Sequence, residues 1–128
     1  MENGNVVAIF EHSILTVRFL ENAKIDVEDI KEIYDYANKW ANGQPYCVLF
    51  NALHHYAVTE EGVEYMSHGN PNDKNVLAKA YVISTKEAEI KIKAHLAFDK
   101  PELMPKTFYM EEDARKYLEE VVAKHNSK

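Results

Sequence analysis

Glycine, cysteine, cationic charge and long apolar runs are all scarce in this chain, and each shortage closes off a class of function. Four glycines are scattered through 128 residues, so no Walker or G-x-G-x-x-G loop exists to cradle phosphates, and no G-x-S-x-G elbow to expose a nucleophile. The single cysteine, Cys47, excludes an internal disulfide and suits a reducing compartment. It lies within an apolar run, where it reads as a small buried hydrophobe rather than a reactive thiol. No run reaches the ~18 apolar residues of a spanning helix. The start, MENGNVV, has neither the basic nor the apolar region of a secretory signal. Fifteen basic against twenty-one acidic residues leave a formal charge of −6, which disfavours nucleic acid and anionic membrane as partners. The expected location is cytoplasmic.

What is present is ordinary for one α/β domain over residues 1–128, with 1–5 and 125–128 expected to be flexible. Val6–Phe10 and Ile14–Leu20 read as strands joined by a tight turn at His12-Ser13, hence an antiparallel hairpin. Leu15, Val17 and Phe19 share one face of the second strand, and Thr16 and Arg18 the other. Asp26 is an N-cap, followed by Glu28 and Asp29 at the positive end of a helix. Its apolar stripe is Ile30, Ile33, Tyr34, Ala37 and Trp40. Asn42-Gly43 supplies a left-handed stop and Pro45 forbids continuation.

Tyr46–Phe50 is apolar throughout, as a strand covered on both faces should be. Thr59–His68 reads as a short helix with Val63 and Met66 inward, Gly69–Asn75 as a loop, and Ala78–Ser84 as another buried strand. The segment after it is ambiguous. Ala88, Ile90, Ile92, Ala94 and Leu96 alternate with polar residues as in a strand, whereas Ser84 to Glu87 has the form of a capping box. Parallel neighbours need a crossover, so a helix is expected over 86–98, with Ile90 opposite Ala88 and Ile92 and therefore exposed or at an interface. Its lysines alternate with acids, a solvated face rather than a phosphate patch. Pro101 and Pro105 bracket a turn. Lys106–Tyr109 is a short last strand, and Glu111–His125 a helix burying Ala114, Tyr117, Leu118, Val121 and Val122.

Two segments carry a family resemblance. Val48–Gly62, VLFNALHHYAVTEEG, lies without gaps on the strand–loop–helix segment of anti-sigma-factor antagonists that ends in a D-S-S-G-type motif. Lys100–Leu118, KPELMPKTFYMEEDARKYL, has that family's Pro-containing turn, short strand with Phe, acidic helix start and aromatic-Leu pair. In topology the chain resembles the STAS-type fold, and more narrowly the bacterial SpoIIAA-like proteins. The resemblance implies a mixed five-stranded sheet with an N-terminal antiparallel hairpin and about four helices. It also implies a phosphorylatable Ser before the Gly. Here Thr59-Glu60-Glu61-Gly62 stands in that place and Glu61 takes the Ser position. A carboxylate carries about one charge, against roughly −1.5 to −2 for phosphate, and no kinase can switch it. Thr59 is expected to N-cap the helix.

The loop after a strand's carboxyl end, leading into a helix, is where ligands dock in open α/β sheets. His54, His55, Tyr56, Thr59, Glu60 and Glu61 are therefore the candidate partner or ligand surface. Adjacent histidines such as His54-His55 project apart and lack metal-ligand spacing, and His12, His68, His95 and His125 are scattered. No metal or cofactor is expected. Glu60, Glu61 and Glu64 serve a helix start better than acid–base chemistry, so no catalytic residue is assigned and no enzyme is expected. The expected function is a non-enzymatic binding or regulatory domain with a protein partner. The alternative is a module for a small apolar ligand or lipid, held in a pocket at the sheet's carboxyl edge, as in the wider STAS resemblance. The alternation at Ile90 and Ile92 marks a candidate homodimer face.

Overall fold

In the computed structural model the described residues are 1–54, 56–66, 74–99 and 103–127, with 95–99 described by backbone alone. His55, His68, Pro101 and most of the loop expected at Gly69–Asn75 lie outside them, as do the side chains of His95 and Leu96.

β1 (Val6–Glu11) and β2 (Ile14–Phe19) form the expected antiparallel hairpin. His12 and Ser13 at its tip have φ of 53° and 64°, the paired left-handed conformation that matches strand twist in a two-residue turn. The outer edge of β1 is occupied by the chain itself. Asn3 receives the Val6 N–H on its side chain and donates its own N–H to the Val6 carbonyl. The Met1 ammonium and carbonyl bond the Ala8 carbonyl and N–H, and the Tyr36 hydroxyl accepts from the Phe10 N–H. The first residues, expected to be flexible, thus lie along the hairpin.

After a short β3 (Ala23–Ile25), helix α1 spans Val27–Ala41. Asp26 and Asp29 close a reciprocal capping box at its start, and Asn42 ends it at φ 50°. The buried stripe is Ile30, Ile33, Tyr34, Ala37 and Ala41, whereas Trp40 is 62% exposed. At about 100° per residue, position 41 returns to the axis of the stripe and position 40 falls roughly 80° away from it. The expectation that Trp40 faces the core is corrected accordingly.

β4 (Tyr46–Asn51) is buried from Tyr46 to Phe50. Tyr46, Val48 and Phe50 join the core beneath α1, and Cys47 and Leu49 join the core on the other face. Next come β5 (Tyr56–Val58), α2 (Glu60–Glu64), β6 (Val76–Val82), α3 (Lys86–Asp99), β7 (Lys106–Phe108) and α4 (Glu111–Asn126). The main sheet runs β1-β2-β4-β6-β7, parallel except for β1. β3 and β5 make a separate parallel pair that the sequence pattern did not announce. α4 packs Ala114 and Leu118 onto the second core, with Tyr117, Val121 and Val122 half-buried beside them. Among the described residues no helix is long and apolar enough to cross a membrane.

α2 gives way to a π turn at Tyr65 and Met66, which pack on the first core, and the end of the helix expected over Thr59–His68 lies outside the described residues. α3 is helical as expected, but its cap is Thr85, whose hydroxyl accepts from the Ala88 N–H at 3.0 Å. The Ile83 N–H is bonded to the Phe108 carbonyl, so the chain is still tied to β7 one residue before the expected Ser84 start. α3 is unusual in burying a carboxylate: Glu89 is 9% exposed while Ile90 is 58% exposed. The hydroxyl of Tyr109, then Lys86 and Lys93, hold the Glu89 carboxyl down at about 2. Alternating apolar residues spread around a helix, so no single apolar face forms and this ionic cluster fixes the inward side.

Burial pushes the Cys47 thiol up to about 11, so almost no thiolate exists near neutral pH. Iodoacetamide should leave the native protein unmodified and alkylate Cys47 rapidly in urea. Prompt alkylation of the native protein, read by mass spectrometry, would contradict the buried position of β4.

Candidate functional site

The site begins where β4 ends. Ala52 donates its N–H to the Val82 carbonyl, and the Asn51 side chain accepts from the Leu53 N–H. His54 Nδ1 lies 2.9 Å from Glu21 Oε2, both side chains being largely exposed, a contact of small energetic weight. The chain then pairs with β3: Tyr56 lies opposite Ala23 and Val58 opposite Ile25. This pairing delivers Thr59 to the start of α1.

Thr59 is held by three hydrogen bonds. Its N–H donates to the Ile25 carbonyl at 2.9 Å, its hydroxyl donates to Asp26 Oδ1 at 2.7 Å, and the same oxygen accepts from the Gly62 N–H at 3.0 Å. Thr59 is thus the N-cap of α2, and Asp26 is the N-cap of α1. One hydrogen bond joins the starts of both helices. The Thr59 hydroxyl, with the Val27 N–H, holds the Asp26 carboxyl below its ordinary range. Gly62 is buried, and a Cβ there would stand 3.0 Å from Val58 Cγ1 and 3.1 Å from Thr59 Oγ1. The glycine that ends the family motif is required here by close packing.

The candidate residues therefore divide. Glu60 and Glu61 project to solvent at the first turn of α2, and His54 is exposed beside Glu21. Tyr56 is half-buried, its ring 4.7 Å from that of Phe19, and burial raises its hydroxyl pKa. It is part of the floor. The floor continues from Phe19 to Phe50 at 5.9 Å and from Phe50 to a stacked Tyr81 at 5.1 Å. These rings fill the carboxyl end of the sheet beneath the loop with one another.

A second polar constellation escaped the sequence reading. On the α4 face of the sheet, Arg18 Nη2 donates to both oxygens of Glu111 at 3.2 and 3.1 Å, and Asn51 Nδ2 donates to Oε1 at 3.0 Å. Arg115 Nη2 lies 3.7 Å from Oε2 and donates to the buried Thr16 hydroxyl at 3.0 Å. Burial alone would raise the Glu111 carboxyl, but Asn51 and the two guanidinia outweigh it and hold it below its ordinary 4.5. Such a carboxylate is ionised and fully engaged at neutral pH, which suits it to bracing rather than proton transfer. The only sequence hint was Arg18 on the side of β2 away from Leu15, Val17 and Phe19.

A family model described as "Domain of unknown function (DUF7793)" matches residues 8–122. The chain belongs to the DUF7793 family. No curated protein matches it. Among solved structures it is similar to an uncharacterised DUF3478-family protein with a SpoIIAA-like fold from Shewanella loihica PV-4. The two share 14% identity and a TM-score of 0.64, over 92% of this chain and 98% of that one. At that identity the likeness establishes the SpoIIAA-like fold, in agreement with the resemblance read from the sequence.

Thr59→Ala should cost about 1 kcal/mol, the usual worth of an N-cap, read as a lower urea midpoint. Gly62→Ala should also destabilise: Thr59 Oγ1 is fixed by two bonds and cannot retreat, so crowding exceeds the roughly 1 kcal/mol that Ala gains over Gly in a helix. For Glu111 the lowered pKa means that its stabilisation is complete above the ordinary carboxylate pKa and fades as pH falls through the lowered value. Glu111→Gln should therefore lose about 1–3 kcal/mol at pH 7 and show a shallower loss of stability below pH 5 than the parent, measured by thermal melts across pH.

Proposed function

We propose that this DUF7793 domain is a non-enzymatic binding or regulatory module that docks a protein partner through the loop after β4 and the first turn of α2. Glu60 and Glu61 are the recognition charges; His54 and His55 precede them in the chain, and the half-buried Tyr56 opens the strand between. The carrying observation is the triple anchoring of Thr59, which fixes the backbone from which two exposed glutamates project at a helix start. A rigid charged epitope loses little entropy on binding. Because Glu61 occupies the place of the phosphorylatable Ser in the resembling antagonists, docking here is permanent rather than kinase-switched. The setting is the cytoplasm, which suits a lone reduced thiol.

The self-stacked row of Phe19, Phe50, Tyr56 and Tyr81 favours surface docking over an apolar ligand held beneath the loop. A homodimer through α3 is the second reading, carried by Ile90 at 58% exposure.

Affinity capture from host lysate should recover a partner with the parent protein and lose it with the Glu60→Lys, Glu61→Lys double variant, whose melting temperature should fall by only a few degrees, as expected for two charges reversed at a helix start. Identical capture by both proteins would refute the docking surface. Sedimentation of the parent and of Ile90→Lys tests the dimer, which requires that only the parent self-associate.

A further inference from the structure

α4 lies over β4 and β6 and leaves the β1–β2 hairpin open beside it. Between hairpin and helix runs a groove of about 250 Å³, with Ile14 and Thr16 as its floor and Ile9, 41% exposed, as its outer wall. The strand register orders its ends. Ile9 stands opposite Thr16, Glu11 opposite Ile14, and Val7 opposite Arg18. Arg18 thus marks one end, and Glu11 with His12 the other. α4 follows the same direction: Arg115 bonds Thr16, while Leu118 receives the S–H of Cys47, which is level with Ile14. Glu119 therefore sits at the Glu11 end.

The two ends differ in charge. At the first, two guanidinia share the single carboxylate of Glu111 and retain an excess positive charge. Among the described residues every bond they make runs through Nη2, which leaves the Nε and Nη1 donors of each for a ligand. At the second end, Glu11 and Glu119 bring two carboxylates beside His12. Between the ends stand Ile9 and Thr16, whose hydroxyl is already engaged by Arg115, so Ile9 supplies the apolar surface. The volume lies below the roughly 300–1,000 Å³ of drug-sized sites, so the occupant is small.

We propose that this groove binds a small zwitterion of dipeptide size, with its carboxylate on Arg18 and Arg115, its apolar body against the exposed Ile9, and its ammonium on Glu11 and Glu119. Forked N–H donors match a carboxylate, and charge-assisted bonds of this kind are the strong ones. The site lies on the α4 face of the sheet and involves none of the residues of the protein-docking surface.

The test is an amide-resolved NMR titration with leucyl-leucine, its C-terminal amide and its N-acetyl form. Leucyl-leucine should give saturable shifts at Ile9, Thr16 and Arg115, and each blocked form should bind roughly tenfold more weakly, as expected for one lost charge-assisted bond. Arg115→Gln should abolish the preference for the free carboxylate. Glu119→Gln, a change at an exposed position, should abolish the preference for the free amine, and decides the matter alone if the arginine variant does not fold. Absence of saturable shifts, or equal binding of all three forms, overturns the proposal. Glu60→Lys with Glu61→Lys should leave the titration unchanged, so failure here and failure of the docking surface are told apart.

Discussion

The burial of β4 on both faces is the constraint on which the rest of the structure depends. Five consecutive residues, Tyr46 to Phe50, are at most 3% exposed, and their alternating side chains feed two separate cores. A strand in this position needs apolar cover from a helix on each side. α1 supplies it on one face and α4 on the other. With the centre of the sheet closed in this way, accessible polar groups lie at the strand ends and on the flanks that the helices do not reach, while Lys79 and Thr16 are buried within β6 and β2. The loop after β4 and the arginine-lined groove are two such places.

The polar contacts show how those ends are braced. Asp26 and Thr59 fasten two helix starts to each other, and Glu111 gathers donors from β2, β4 and α4. In both cases a carboxylate collects several hydrogens, and for the part-buried Glu111 these offset the cost of desolvation. Neither arrangement leaves a group free to exchange a proton with a substrate at neutral pH. The same economy appears in α3, where Glu89 gathers Lys86, Lys93 and Tyr109 and replaces the missing apolar face with an ionic one.

Local signals in the sequence were read well because their cause is local. The Asp26 cap, the left-handed Asn42, the His12-Ser13 turn and the Thr59 cap all depend on neighbours within a few residues. The SpoIIAA-like order of elements followed from these signals together with hydrophobic periodicity. Trp40 was misplaced by one helical step, and the cap of α3 by one residue, because an apolar side chain or a hydroxyl was assigned without the tertiary contact that selects it. β3 and β5 were missed for a different reason: three residues are too few to show a period. The Glu111 bridge was invisible because its partners are 93 and 60 residues away in sequence. No spacing rule spans such a distance. On the candidate surface, reading from sequence placed Glu60 and Glu61 on the outside but could not distinguish them from Tyr56, which turns inward.

The occupied edge of β1 has a consequence for assembly. A bare edge strand offers a backbone ladder to any second chain that carries a complementary strand, whatever its side chains. Here the N–H groups of Val6, Ala8 and Phe10 and the carbonyls of Val6 and Ala8 are already spent within the molecule. The hairpin side of the sheet therefore cannot seed a continuous intermolecular sheet, whether a two-chain sandwich or a fibril, without first displacing Met1 and Asn3. Recognition on that side must be written in side chains, and so remains specific to a partner's chemistry.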